Sequence, residues 1–410
     1  MTASHTYCGA EKEFNIMANV FERALELHAK LAGKISTELK GPLETKDDLS
    51  LMYSPGVAEP CRAIHKNVED AYKYTWKGNT VAVVSNGTAV LGLGDIGAAA
   101  GLPVMEGKCC LFKRFAGINA VPLVIDTKDT EEVINFVKMV APTFGGINLE
   151  DIAAPACIEI ERRLKAELNI PVFHDDQHGT AIVVTAALIN ALKLVNKKAE
   201  DCVAVISGVG AAGSSIIHMI QSLGVKNVYG FNSRGLLNRK HKDTYTNKLY
   251  VELSQITNND AEDLTLEEAM AKADIFIGVS VPNKVTKAMV KSMKRDPIVF
   301  AMANPDPEIT YDDARAAGAR VVGTGRSDYP NQVNNVLAFP GLFKGALAVR
   351  ATEINEEMKF AAAEAIAALV APEELSEEYV IPSPFDPRVA DAVAKQVSDK
   401  AKQMNVTRKA

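Results

Sequence analysis

Short apolar segments alternate with segments of helical spacing in the first half of the chain. Buried-strand patterns occur at residues 81–85, 120–125, 147–150 and 171–173, and helical patterns lie between them at 104–115, 130–140 and 155–168. This alternation predicts parallel strands that are joined and covered by helices. A further helical pattern over residues 18–39 predicts that a helix precedes them.

A second series of the same kind begins at Cys202. The segment CVAVIS predicts a strand, AAGSSIIHMIQSLG a helix and VKNVYGF another strand, and IFIGVS, PIVFAMA and ARVVGTG predict three more strands. The last seventy residues have mainly helical patterns, interrupted by Pro382, Pro384 and Pro387. We therefore predict an α/β protein of two domains, with a helix over residues 180–195 between the two series.

Composition excludes several classes of protein. The chain has 410 residues, 47% of them hydrophobic, and a formal net charge of -6. A negative balance offers no basic field for nucleic acid, and no apolar stretch is long enough to span a membrane. The six cysteines lack metal-binding spacing, so we expect free thiols. Since the first twenty residues also lack the features of a secretory or transit signal, we expect a cytoplasmic protein.

A glycine pattern between a predicted strand and helix indicates a dinucleotide site. In the segment 208–213, Gly208 permits a tight turn, Gly210 lets the backbone approach a pyrophosphate, and Gly213 allows close packing of helix on strand. Ala211 and Ala212 open the helix whose N-terminus would face the phosphates. The alternative is a tight turn without a ligand.

A second GxGxxG pattern occurs at residues 92–97. It contains Asp95, whose negative charge would be unfavourable beside a pyrophosphate. We therefore assign residues 92–101 to a loop on the substrate side, where the glycines either contact substrate or serve turn geometry alone.

The residues after the second strand of this series indicate the type of cofactor. Asn232, Ser233 and Arg234 occupy the place where a carboxylate would hold the ribose 2′-hydroxyl of NAD. Without that carboxylate a 2′-phosphate is not repelled, and Arg234 can pair with it. We therefore predict NADP in preference to NAD. The alternative is that Arg234 is a solvated turn residue.

Two acidic pairs follow neighbouring predicted strands. Glu150-Asp151 ends one strand, and Asp175-Asp176 follows the next. Because the carboxyl ends of parallel strands meet at one edge of a sheet, we expect these acids to converge. Oxygen ligands of this kind suit Mg²⁺ or Mn²⁺. The alternative is that acids merely populate the loops that follow strands.

Neighbouring histidines and a lysine are further candidates for the site. His174 and His178 flank the second acidic pair, and the absence of an HExxH motif makes a supporting role more consistent than zinc binding. Lys108 lies among apolar residues of a predicted helix, where desolvation would lower its pKa and make it a base. The alternative is a lysine with a buried stem and a solvated amino group.

Polar residues in three turns complete the candidates. Asn304, Asn334 and Asn335 follow strands of the second series, where neutral amides either bind a carboxylate or form turns. Tyr53 lies in a proline-glycine turn, where packing is a more usual role than chemistry.

Seven segments of the chain together resemble one family, the malic enzymes of the short, bacterial-like type. They are MYSPGVAEPC, GLGDIGAAAGLPVMEGK, GGINLEDI, PVFHDDQHGTA, GVGAAG, ANPDPE and NNVLAFPG, and they occur in the family's order between about Lys40 and Pro387. The combination of HDDQHGTA with LEDI is highly specific.

The resemblance implies a role for each candidate. Glu150, Asp151 and Asp176 correspond to the family's metal ligands. Lys108 corresponds to its general base and Tyr53 to its general acid, and Asp175 to a carboxylate that orients the lysine. Asn304 and Asn335 correspond to residues that hold malate, with Asn334 in the same turn, and Asn304 is also placed beside the cofactor. Large members carry an arginine before the glycine loop, but residues 86–90 contain none, so we expect Ser54 or loop amides to hold the second carboxylate.

The resemblance also implies architecture and activity. We expect a substrate and metal domain of residues 1–175 plus 336–410, a Rossmann-like domain of residues 176–335, and a homodimer. The expected reaction is oxidative decarboxylation of L-malate to pyruvate and CO₂ with NADP or NAD. The alternatives are an enzyme for a related hydroxy acid, such as tartrate, and a non-catalytic sensor of a nucleotide or metabolite.

Overall fold

The computed structural model describes residues 6–90 and 92–408, with side chains from residue 19 onward. The first half contains α1 (Thr6–Leu31), α2 (Lys46–Met52), α3 (Ala58–Lys66), α4 (Ala71–Tyr74), β1 (Thr80–Ser85), α5 (Ala98–Ala116), β2 (Asn119–Val124), α6 (Thr130–Val140), β3 (Gly146–Leu149), α7 (Ala156–Glu167), β4 (Val172–His174) and α8 (Asp175–Leu194). The second half begins with β5 (Val203–Ser207), α9 (Ala211–Leu223), β6 (Asn227–Asn232), β7 (Gly235–Leu236), α10 (Lys248–Ile256), α11 (Leu266–Lys272) and β8 (Ile275–Gly278). It continues with α12 (Lys287–Ser292), β9 (Ile298–Ala301), α13 (Tyr311–Ala316), β10 (Val321–Thr324), α14 (Phe339–Ala348), α15 (Glu356–Ala367) and α16 (Val389–Gln403).

The first sheet is a parallel sheet in the order β2-β1-β3-β4. Every residue of β1 is buried, which is why this strand is a continuous apolar run rather than an alternating one. The order reverses at β1, so the loops after β1 and β3 lie side by side at the carboxyl edge. That edge is where α/β sheets bind ligands.

The second sheet has the order β10-β9-β8-β5-β6-β7, and only its edge strand β7 is antiparallel. The central strand β5 precedes the glycine pattern, and the order reverses between β5 and β8. This is the doubly wound, Rossmann-like arrangement with a crevice at the reversal point. The predicted α/β class, with two parallel sheets of which the second is Rossmann-like, is confirmed.

Three helix predictions are wrong at their ends. The helix predicted over residues 104–115 begins at Ala98, so residues 98–101 of the predicted glycine loop are helical. The first helix ends at Leu31 instead of residue 39, because Ala32 and Gly33 adopt φ of 52° and 113°, which cannot continue a helix. The helix predicted over residues 180–195 begins instead at Asp175, directly after β4. Acidic residues are favoured in a first helical turn, where they face the positive end of the helix dipole. Asp175 and Asp176 therefore lie on a helix and not in a loop.

The C-terminal helices pack against elements of the first half. Phe339 and Phe343 of α14 contact Phe112 of α5, with ring centroids 4.7 and 5.4 Å apart, and Phe343 also meets Phe173 of β4 at 5.9 Å. This aromatic group fixes the segment that follows Asn335 against the helix that carries Lys108.

Two further expectations concern membrane-spanning segments and the state of the cysteines. Within the described residues, no helix combines the length and apolar character that a membrane span requires. The five described cysteine side chains, from Cys61 to Cys202, are free thiols, as expected, whereas Cys8 lies outside the described side chains.

Candidate active site

The loops that follow β1 and β3 are bonded to each other. The N–H of Ala89 donates to the carbonyl oxygen of Asp151 at 3.0 Å, and the N–H of Ala153 donates to Oγ1 of Thr88 at 2.9 Å. The glycine-rich segment after β1 is therefore held against the first acidic pair.

Three carboxylates converge at this edge of the sheet. Glu150, Asp151 and Asp176 each offer an oxygen, and these oxygens all lie within 4.8 Å of one another. Glu150 and Asp151 are 5% and 3% exposed, whereas the side chain of Asp176 is 38% exposed. Oδ2 of Asp151 is buried without a hydrogen-bond partner among the described residues. A divalent cation fits this set, because it would satisfy that oxygen and neutralise the group.

The backbone at Asp151 is adapted to this convergence. Asp151 adopts φ of 52°, and its N–H donates to Oδ2 of Asp176 at 2.9 Å. The left-handed conformation turns the chain sharply after β3. The end of β3 and the start of α8 are thereby linked through a side chain of the cluster itself.

The electrostatics of the carboxylates reflect burial and mutual repulsion. Burial raises the pKa of Asp151 to about 8, with a further contribution from Asp176, and raises the pKa of Glu150 to about 7. Burial and the neighbouring Asp175 raise the pKa of Asp176 to about 6. Without a cation, the ionised forms of these groups are therefore destabilised.

Lys108 is held between two buried acids. Its Nζ lies 2.5 Å from Oδ2 of Asp175 and 2.8 Å from Oε1 of Glu150, and 4.1 Å from the centre of the Phe339 ring. Burial lowers the pKa of Lys108, but the charges of Asp175 and Glu150 outweigh it and raise the pKa above its ordinary value. The prediction that desolvation leaves this lysine with a lowered pKa is therefore wrong, because it left out the charges of the two acids beside it.

Amide side chains surround the acids. Nδ2 of Asn335 donates to Oδ2 of Asp175, and Oδ1 of Asn334 accepts the N–H of Val336 at 3.0 Å. Asn335 therefore reaches the cluster, whereas the side chain of Asn334 stabilises its own turn. The sequence interpretation overlooked Asn148, whose Nδ2 donates to Oε2 of Glu150 at 2.8 Å. A polar residue inside the otherwise apolar strand β3 was the available signal.

The GxGxxG loop has the geometry of a phosphate-binding turn. Gly208 adopts φ of 101°, and a Cβ at Gly213 would lie 1.9 Å from the carbonyl oxygen of Gly208. A Cβ at Gly210 would meet no protein atom within 4 Å, so this glycine borders open space. Ala211 and Ala212 begin α9, whose N-terminus has no side-chain cap. Its first N–H groups are thus available to an anion.

Contacts join the two halves of the chain at both glycine loops. Ala211 packs against the apolar group that contains Ile152, which directly follows the first acidic pair. On the opposite loop, a Cβ at Gly92 would lie 3.8 Å from Cδ of Pro305. The neighbouring Asn304 follows β9, and its Nδ2 donates to the carbonyl oxygen of Met302 at 3.4 Å. The two glycine loops and Asn304 therefore lie where the two halves of the chain meet.

The turn after β6 carries the residues assigned to the cofactor ribose. Oδ1 of Asn232 accepts the N–H of Arg234 at 2.7 Å, which closes the turn, and both Ser233 and Arg234 are exposed. No carboxylate among the described residues pairs with the Arg234 guanidinium.

Tyr53 and Ser54 lie apart from the other candidates. Tyr53 is 69% exposed at the C-terminal end of α2, and Ser54 is exposed beside it. Within the described part of the chain, no contact joins either side chain to Lys108 or to the carboxylates. One chain therefore assembles the acids, the lysine and Asn335, but not the tyrosine.

Comparison with known proteins identifies the family. Residues 32–165 match the family model for the malic enzyme N-terminal domain, and residues 177–402 match the malic enzyme NAD binding domain. The chain is 57% identical to the bifunctional malic/malolactic enzyme of Bacillus subtilis, over 94% of each chain. It is 55% identical to the NAD-dependent malic enzyme of Geobacillus stearothermophilus, over 96% of this chain and 81% of the relative.

Comparison with solved structures supports the same family. The crystal structure of malic enzyme from Pyrococcus horikoshii superposes with a TM-score of 0.90 at 45% identity, and the match covers 95% of this chain and 92% of that one. Both halves of the chain thus match the same family in sequence, and nearly the whole chain matches it in fold. The chain belongs to the malic enzyme family.

Proposed function

We propose that this protein oxidises and decarboxylates L-malate to pyruvate and CO₂, with NADP or NAD as the hydride acceptor. The observation that carries the proposal is the convergence of Glu150, Asp151 and Asp176 beside the buried pair of Lys108 and Asp175. A sensor that only bound a nucleotide would have no use for a lysine that contacts two buried acids.

The carboxylate cluster supports a divalent cation, either Mg²⁺ or Mn²⁺. Glu150, Asp151 and Asp176 would hold the ion, and the loop 208–213 with the turn 232–234 would hold the dinucleotide. When bound, the dinucleotide accepts the C2 hydride of malate, and the cation draws electron density from the C2 oxygen. Asn304 and Asn335 are proposed to bind the malate carboxylates, with Asn334 fixing the turn.

Lys108 is proposed to take the proton of the C2 hydroxyl as C2 loses its hydride. Its pKa depends on the charges of Asp175 and Glu150. Neutralisation of the carboxylates would remove part of the field that keeps the lysine protonated, so the lysine could then act as a base. Asp175, with Asn335 bonded to the same oxygen, keeps the ammonium in place.

Cleavage of the C3–C4 bond releases CO₂ and leaves its electron pair on C3 of the resulting enolate. We assign Tyr53 as the acid that protonates this carbon. Its exposed position suggests that it serves the site of a second copy of the chain, with Ser54 in the same segment as a candidate for the second carboxylate.

The surface formed by residues 20–76 supports a homodimer. Helices α2 and α3 bury none of their own residues, although short helices gain most of their stability from packing. Exposed apolar side chains are frequent between residues 20 and 76 and include Phe21, Leu25, Leu39, Leu51, Met52, Tyr53, Val68 and Trp76. A second copy of the chain would cover this surface.

The proposal also includes the type of cofactor, the boundaries of the two domains and the cellular compartment. NADP is preferred because no described carboxylate pairs with the Arg234 guanidinium and because position 232 is an asparagine and not an acid. Residues 1–175 with 336–410 form the substrate domain and residues 176–335 the dinucleotide domain, which the packing of α14 on α5 supports. The buried free thiols of Cys109 and Cys157 suit the reducing cytoplasm.

The test of the proposal is an absorbance assay at 340 nm with malate and Mn²⁺, run separately with NADP and NAD. We expect reduction of the dinucleotide together with stoichiometric pyruvate. Tartrate and other hydroxy acids in place of malate test the substrate. Failure to reduce either dinucleotide with malate would contradict the proposal.

A further inference from the structure

Three polar residues connect α7, α8 and α15 next to the carboxylate cluster, and none of their side chains is more than 12% exposed. Oε2 of Glu161 lies 2.7 Å from Nε2 of His178, and Nζ of Lys359 lies 3.0 Å from Nδ1 of the same ring. Glu161 is 5% exposed, and the Lys359 side chain is 1% exposed. None of the three takes part in the proposed chemistry, so their burial needs another explanation.

Glu161 holds both flanks of the second acidic pair. Its Oε1 accepts the N–H of His174 at 3.0 Å, while its Oε2 binds the side chain of His178. Asp175 and Asp176 lie between these two contacts, on the first turn of α8. The orientation of that turn is therefore tied to one side chain of α7.

The direction of each hydrogen bond follows from Lys359. A charged ammonium only donates, so Nδ1 of His178 must accept, and the ring carries its proton on Nε2. That proton is donated to the carboxylate of Glu161. Oγ of Ser215, on the dinucleotide helix α9, lies 3.3 Å from the same Nδ1. Nζ of Lys359 is also 2.5 Å from Oε1 of Glu356, which balances its charge.

We propose that Glu161, His178 and Lys359 are positioning residues that fix the first turn of α8 and thereby set the affinity of the carboxylate cluster for a divalent cation. The inference rests on the proposed function, since it takes Asp176 as a metal ligand. Residues that orient ligands in this way commonly change metal affinity by about 10–100-fold when they are replaced.

The decisive variant is Glu161→Gln, which keeps the shape of the side chain. Its amide oxygen can still accept the N–H of His174 and a proton of the Lys165 ammonium, which lies 2.8 Å from the same oxygen in Glu161, but its NH₂ group then faces the N–H of His178. Two donors oppose each other, because Lys359 prevents the ring proton from moving to Nδ1. We expect the Kd of Mn²⁺ for the full-length apoprotein to rise about 10–100-fold. The readout is the free Mn²⁺ signal in electron paramagnetic resonance, without malate or dinucleotide.

A second substitution tests the direction of the bonds. In the double variant Glu161→Gln/Lys359→Met the ring proton can move to Nδ1 and face Ser215, and Nε2 can accept from the glutamine. We expect the double variant to bind Mn²⁺ more tightly than Glu161→Gln alone. If these residues act only through general stability, the double variant should instead bind Mn²⁺ more weakly than Glu161→Gln alone and than Lys359→Met alone.

Lys77→Met is the matched control. Lys77 is also buried, and its Nζ donates to the carbonyl oxygens of Ala141, Pro142 and Phe144. We expect this variant to lower the thermal transition but to leave the Kd of Mn²⁺ unchanged. If the double variant does not fold, the comparison of Glu161→Gln with Lys77→Met decides alone.

Two negative outcomes are distinguishable. If the unaltered protein binds no Mn²⁺, the proposed function itself fails. If it binds Mn²⁺ and Glu161→Gln binds it equally well, or if the double variant shows no recovery over Glu161→Gln, the positioning inference is overturned while the proposed function stands.

Discussion

Nζ of Lys108 donates to Oδ2 of Asp175 at 2.5 Å, and neither side chain is more than 8% exposed. The contact joins α5 to the first turn of α8, and the same oxygen of Asp175 accepts from Asn335. Burial alone would favour a neutral lysine, but the acids next to it favour the ammonium. The proton on Lys108 is therefore controlled by the charge of its neighbours.

The first prediction concerns this lysine. Lys108→Arg keeps a cation between Asp175 and Glu150, but a guanidinium does not give up its proton near neutral pH. We expect a folded protein whose kcat with malate is about 10²–10⁴-fold lower, the range associated with loss of a general base. Initial rates at 340 nm and a thermal melt measure the two quantities. Undiminished turnover would remove Lys108 from the mechanism.

The second prediction concerns the metal ligands. Asp176→Asn removes one negative charge from the cluster, and we expect the Mn²⁺ affinity of the apoprotein to fall more than about 100-fold. Asp95→Asn is the control, because Asp95 is an exposed acid of the nearby glycine loop that pairs with Lys128 at 2.5 Å. Calorimetric titration with Mn²⁺ distinguishes them. Equal losses in the two variants would contradict the assignment.

The third prediction concerns pH and metal removal. Burial raises the pKa of Asp176 to about 6 and of Asp151 to about 8, whereas unfolded aspartates titrate near pH 4. Between about pH 4 and 8 the folded chain therefore binds more protons than the unfolded chain, so its free energy of unfolding falls as pH rises. A cation binds the ionised acids and should raise the Tm more at pH 8 than at pH 6.

Thermal melts with EDTA and with Mn²⁺ at both pH values check this. Asp176→Asn should lose most of the metal-dependent rise. An increase in Tm that is the same at pH 6 and pH 8 would show that these acids do not control the binding.

The fourth prediction concerns the cofactor. Arg234→Gln removes an exposed cation from the turn after β6, and a charge-assisted hydrogen bond contributes about 1.5–3 kcal/mol. We therefore expect kcat/KM for NADP to fall about 10–100-fold, with kcat/KM for NAD nearly unchanged. Lys226→Gln, an exposed cation just before the other end of β6, is the control. Equal losses with both dinucleotides would exclude a 2′-phosphate contact.

The fifth prediction concerns Tyr53. If each site takes its tyrosine from the partner copy, a mixture of inactive Tyr53→Phe and Lys108→Ala subunits forms one complete site in every mixed dimer. Equal amounts that exchange freely should then recover about one quarter of the unaltered activity. Tyr53→Phe mixed with itself serves as the control. Absence of recovery, with exchange verified by mass spectrometry, would place the tyrosine and lysine in the site of the same chain, and full activity of Tyr53→Phe alone would remove the tyrosine from the mechanism.

The strands of the first sheet were predictable from the sequence, because central strands of a parallel sheet are buried on both faces and leave uninterrupted apolar runs. The start of α8 was not, because Asp175 and Asp176 suggest a loop when neighbouring contacts are unknown. The two-residue strand β7 has no periodic pattern to detect. The hydrophobic pattern of the sequence thus predicts long buried elements but does not predict helix and strand ends that depend on local capping.

The candidate site, like the fold, was predictable from the sequence only in part. The acidic pairs were found because each follows a strand, and strand ends of a parallel sheet converge. The raised pKa of Lys108 was missed because it depends on acids that come from other elements. Lys359 was missed for a similar reason, since its partner His178 is 181 positions away along the chain.

The left-handed backbone at Asp151 restricts which residues can occupy this position. Among non-glycine residues, asparagine and aspartate adopt φ near +50° most readily, and of these only aspartate supplies a negative charge. A glutamate there would keep the charge but would incur steric strain in the main chain, and glycine would relieve the strain but remove one of the three oxygens offered to the cation. Conformation and ligand chemistry together therefore favour aspartate over the other residues at position 151.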